Sequence, residues 1–116
     1  MSDLLNLIDK LEKAEAGSRE LDNDIWEALD LGVVQHPWGK EYTYARHVTT
    51  SLDAAIALVD RVFRNNQKVI RTFPDGTNDV VMWNHEVGTD TVAGATVALS
   101  LCTALLKALQ AKEAGQ

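Results

Sequence analysis

A chain of 116 residues holds one core and is short for two. With 46% apolar and 24% charged residues it has ordinary globular composition, which excludes a disordered tail or a collagen-like fibre. Seventeen acids against eleven bases give a net charge of −6, without the basic excess that a duplex nucleic-acid binder needs, and the single cysteine, Cys102, excludes an internal disulfide framework.

The first thirty residues predict an acidic αα-hairpin. Leu4, Ile8 and Leu11 recur at helical spacing and share one stripe. Gly17 and Ser18 break that helix; glycine supplies a left-handed end and serine caps the next helix, predicted over 19–30. Leu21, Ile25, Trp26 and Leu29 form its apolar side, with Asp22, Asp24, Glu27 and Asp30 mostly opposite. Residues 1–30 carry nine acids and three bases, so the whole net charge sits here; the remaining 86 residues hold eight of each sign. The expectation for these carboxylates is a solvated helix face, or a docking patch for a basic partner.

Residues 31–50 have no helical period, and twenty structureless residues inside a compact domain are unusual. Either a strand hides here or the loop is functional. The β-formers from Tyr42 to Val48 suggest a short strand. Thr50, Ser51 and Asp53 open the next helix, 51–64, whose Leu52, Ala55, Ile56, Val59 and Phe63 repeat at three and four. Asn65-Asn66 ends it, since both tolerate positive φ. A β-hairpin spans 67–84 about the turn Pro74-Asp75-Gly76-Thr77-Asn78. The last helix, 91–112, is apolar almost all round and predicts a central packing element or a homo-oligomer contact. The order α-α-(β)-α-β-β-α lacks strand–helix alternation, so the fold class expected is α+β, a small antiparallel sheet sandwiched by helices in one domain, 1–116.

Two runs carry a family resemblance. Val48-Thr49-Thr50-Ser51-Leu52-Asp53-Ala54-Ala55 opens a helix after a strand, and Thr91-Val92-Ala93-Gly94-Ala95-Thr96 leads a small-residue, leucine-rich last helix. With Ser18-Arg19-Glu20-Leu21-Asp22, they resemble the phage ABA sandwich domain family. The resemblance implies an antiparallel sheet between helices and a phage or prophage origin. It implies no activity, because that family has no assigned function.

No catalytic signature is present: no Gly-x-Ser-x-Gly elbow, no HExxH and no phosphate loop. Cys102 lies on an apolar helical stretch, where a thiol is an inert small hydrophobe. His36, His47 and His85 are not spaced as metal ligands, so no metal and no cofactor is expected. The segment 36–47 is different. It holds three of the seven aromatics, with two cations and two histidines. Aromatic faces stack on bases, and Arg or Lys neutralises phosphate.

The alternative reading is a loop folded over the sheet with Trp38 and Tyr44 in the core. The candidate ligand-binding residues are Trp38 and Tyr42 for stacking, Lys40 and Arg46 for phosphate, and Thr50 and Thr91 at helix N-termini. The function expected is a non-enzymatic, phage-encoded binder of a small anionic nucleotide-like ligand, such as a nucleotide signal of host immunity. Such a protein would counter host defence. The alternative is an interaction module that docks a host or phage protein through the acidic helices or the apolar last helix. The start of the chain lacks the basic region of a signal peptide, and the longest apolar-rich stretch, 92–106, is short for a membrane span, so a cytoplasmic location without membrane or duplex nucleic acid is expected.

Overall fold

The computed structural model describes residues 2–42 and 47–114. Helix α1 (Ser2–Lys13) is followed by α2 (Arg19–Ala28), a first hairpin of β1 (Val33–His36) and β2 (Gly39–Tyr42), and helix α3 (Leu52–Val62). A second hairpin of β3 (Gln67–Thr72) and β4 (Asn78–Trp83) precedes α4 (Val97–Ala114). The class is α+β, with two antiparallel sheets of two strands each. The first hairpin adds a pair of strands that the sequence pattern did not give. The expected strand over 42–48 falls mostly outside the described residues; Tyr42 ends β2, and Val48 is a buried turn residue.

Local chemistry sets the boundaries. The Ser18 hydroxyl accepts from Leu21 N–H and caps α2, and Ser51, not Thr50, does the same for α3 from Ala54 N–H. Helix α2 ends with Asp30 at φ 55°, Leu31 N–H on Trp26 C=O and Asp30 N–H on Glu27 C=O, a Schellman pattern with aspartate in the left-handed position. Asn65, at φ 61°, turns the chain out of α3.

The start of α4 corrects the sequence reading. Val80 and Val92 exchange both backbone hydrogen bonds at 2.8 Å, which holds residue 92 extended along the edge of β4. Gly94 lies against Ser100, and the Thr96 hydroxyl accepts from Leu99 N–H, so the helix starts only at Val97. Sheet pairing prevails over helical periodicity across 91–96. Thr91 is therefore exposed on an extended segment, not at a helix N-terminus.

Helix α4 is the centre of the core. Leu99, Leu101, Leu105 and Leu106 have no exposed surface, and the helix packs on α1, α3 and β4. Its apolar sides are buried within its own chain, which makes it the central packing element that the sequence predicts. At 1.5–3 kcal/mol per fully buried large aliphatic, roughly, these four leucines dominate the local energetics. A polar knot fixes the helix to the sheet: Asn78 Nδ2 donates to Gly94 C=O, and Ser100 Oγ lies 2.5 Å from Asn78 Oδ1.

Candidate functional site

The aromatic segment builds a projecting arm. Val33, Val34, Gln35 and His36 pair with Tyr42, Glu41, Lys40 and Gly39 around the two-residue turn Pro37-Trp38. Proline presets the first turn residue, and Gly39 takes φ 143°, a conformation that a side chain would strain. Strand alternation puts Val34, His36 and Glu41 on one face and Val33, Gln35 and Lys40 on the other.

The two faces differ in chemistry. On the first, the rings of His36 and Trp38 stack with centroids 4.5 Å apart and planes 3° from parallel. His36 Nε2 lies 2.8 Å from Glu41 Oε1, which fixes the imidazole beneath the indole. Trp38 is 82% exposed. On the second face, Val33 packs against the core and Lys40 Nζ reaches Glu27 Oε1 of α2 at 2.9 Å. The ring stack therefore looks away from α2, and Lys40 looks toward it.

The arm is rooted in a buried clamp. Asp22 is 1% exposed, on the inner side of α2 and not on the solvated face that the acidic pattern suggested. Its Oδ1 accepts from Thr49 N–H at 2.9 Å and lies 2.6 Å from Thr49 Oγ1. Thr49 Oγ1 also accepts from Ser18 N–H at 3.0 Å, which ties the α1–α2 turn to the approach of α3. Asp22 Oδ2 accepts no hydrogen bond among the described residues, and His47 Nδ1 stands 3.7 Å from it.

The sequence-predicted residues do not converge. Trp38 and Lys40 lie on the same arm but at different faces. Tyr42 pairs through its backbone with Val33, and Arg46 lies outside the described residues. Thr50 is exposed and lines an open groove of about 370 Å³ between the starts of α3 and α4, with Thr49, Leu52 and Thr96. Thr91 lines a different groove, of about 340 Å³, with Leu5, Thr89 and Lys107. A third groove, lined by Asn6, Leu7, Lys10, Asp24, Glu27 and Ala28, separates α1 from α2 beside the foot of the arm. Most described carboxylates of the acidic helices face lysines of this chain: Lys10 holds Asp24 at 2.7 Å, and Lys107 holds Glu12 at 2.6 Å.

His36 and Glu41 are the site residues that the sequence reading missed. The available signal was the Pro37-Trp38-Gly39 turn alone, because the flanking Val33–His36 and Gly39–Tyr42 show no alternation in polarity. Cys102 is sealed in the core with its Sγ on Val48 C=O, and burial, with the nearby Asp22 charge, pushes its pKa up to about 12. The three histidines face three separate carboxylates, Glu41, Asp22 and Glu86. Among the described residues no cluster of three or more His, Cys, Asp or Glu side chains could hold a metal, and no helix is long and apolar enough to cross a membrane. Compared with family models, curated proteins and solved structures, the chain finds no match.

Proposed function

We propose that this chain is a non-enzymatic binding protein that engages its guest through the hairpin 33–42, with Trp38 as the stacking face. The guest is a flat-ringed, nucleotide-like small molecule, held and not turned over. The observation that carries the reading is the exposed indole set parallel on His36, which is itself anchored by Glu41. Pre-stacking fixes the plane of the ring, so a base added to it loses little of the indole's rotamer freedom. Base–aromatic stacking contributes roughly 1–3 kcal/mol per base. The resemblance of 48–55 and 91–96 to phage proteins supports a phage-encoded role, in which a nucleotide signal of host immunity is the guest.

The test is a calorimetric and thermal-shift screen against linear and cyclic nucleotides, run on the wild type and on Trp38→Ala. A ligand at 100 times its Kd raises stability by about 2.7 kcal/mol. Trp38→Ala weakens that binding at least tenfold. No shift with any nucleotide, or equal affinity in the variant, overturns the reading.

A second reading rests on a specific feature: the ring stands on a convex arm and lines none of the three grooves described above. Convex, exposed tryptophans suit protein partners, where they act as anchors in a partner's pocket. A protein captured from lysate by the wild type and lost with Trp38→Ala, without any nucleotide effect, supports that alternative.

A further inference from the structure

The charges around the Trp38 ring are sorted by the strand register. The arm 33–42 holds one lysine, one glutamate and one histidine, and no arginine. Lys40 lies on the face turned to α2, where its Nζ is 2.9 Å from Glu27 Oε1. Glu41 shares the opposite face with the ring stack, and its Oε1 is 2.8 Å from His36 Nε2. The face that carries the indole therefore carries the arm's carboxylate, while the ammonium group is drawn to the other. The wider field has the same sign. The chain carries −6, and all of it comes from residues 1–30, the two helices beside the foot of the arm.

Each of these features opposes a phosphate at the ring and favours a positive charge there. The face of an indole attracts cations through its quadrupole, more strongly than the rings of Tyr or Phe. His36 covers one face of Trp38, with the two planes 3° from parallel, and the residue is still 82% exposed, which leaves the second face to solvent. A cation without a ring would use only the electrostatic attraction of that face. A flat cationic ring gains stacking as well, so it matches both the shape and the sign of the surface.

We infer, on the reading of Trp38 as the stacking face, that the ring it takes carries a formal positive charge, as an N-alkylated pyridinium does, in preference to the neutral ring of the same shape. Among the described residues no lysine or arginine of the arm lies on this face to meet a guest's phosphates. Recognition is therefore left to the ring.

Paired ligands that differ in ring charge test it: 1-methylnicotinamide against nicotinamide, and the oxidised against the reduced nicotinamide dinucleotide. Affinities for the full chain are read from the backbone ¹⁵N shifts of residues 33–42 at pH 8, where free imidazole is neutral. The cationic member of each pair is expected to bind about two- to fivefold tighter, the contribution of a cation over an exposed ring. Trp38→Leu keeps an apolar side chain and removes the π face, and the ratio of the two affinities is expected to fall to about one. Glu41→Gln keeps an acceptor for His36 and removes the charge, and it is expected to lower the ratio by up to about twofold. Equal binding of the neutral member overturns the inference, as does a ratio that survives Trp38→Leu; in either case a ring bound at Trp38 leaves the stacking reading standing. If neither member of either pair moves the arm's signals, the stacking reading fails and the inference falls with it.

Discussion

At the residue scale, the clearest constraints converge on Thr49. A Cβ built on Gly17 would lie 2.0 Å from the Thr49 carbonyl oxygen, so the α1–α2 turn touches the approach of α3 backbone to backbone. Gly17→Ala is therefore expected to destabilise by about 1–3 kcal/mol, the range for overpacking, although its φ is not left-handed. Thr49→Val removes the hydroxyl beside Asp22 and leaves Oδ1 only the Thr49 N–H; a loss of about 1–3 kcal/mol in urea midpoint analysis is expected. A neutral result for Thr49→Val would mean that the buried carboxylate is not held by this clamp. None of this was legible from composition, because Asp22 sits in an acidic run whose other members face water or lysines. Only the contact with residues 27 positions away separates it from them. Cys102 was legible as a core residue. With its thiol pushed up to about 12, it is expected to stay unreactive toward a disulfide reagent at pH 8 in the native protein and to react on unfolding.

At the scale of elements, sequence periodicity located α1, α2, α3 and the β3–β4 hairpin within a few residues. These elements bury a stripe or alternate across a sheet, so their patterns are local. It failed for 91–96, where pairing with Val80 decides the conformation, and for 33–42, where four-residue strands are too short to show a period. The α3–β3 turn yields a pH prediction. Hydrogen bonds from Asn66 and then Lys68 hold the Asp60 carboxyl below its ordinary value, and the Thr77 hydroxyl and N–H do the same for Asp75 in the next turn. A carboxyl depressed in the folded state contributes stability above its unfolded pKa and loses it as pH falls through the folded value. The melting temperature is therefore expected to fall as pH drops below about 4, where aspartate normally titrates. Asp60→Asn is expected to flatten part of that fall. An unchanged pH profile in Asp60→Asn would show that the bonds to Asn66 and Lys68 contribute nothing measurable.

At the scale of the whole molecule, one buried helix organises everything else. Helix α4 takes α1, α3 and β4 onto its sides, and Leu105→Ala is expected to cost about 2–5 kcal/mol. The core leaves outside it the arm that carries the exposed Trp38, which is the surface proposed to meet a guest. The candidate site was half legible. The aromatic enrichment of 36–47 pointed to Trp38, whereas the partition of Trp38 and Lys40 between two faces needed the strand register. The central claim is that the guest meets the Trp38 ring. Its most direct test follows the three indole N–H signals by ¹⁵N NMR during titration with a nucleotide that binds. The account predicts that the Trp38 signal moves with saturation while buried Trp26 and the β4 residue Trp83 stay in place. Binding that moves Trp83 or Trp26 and leaves Trp38 still would contradict it.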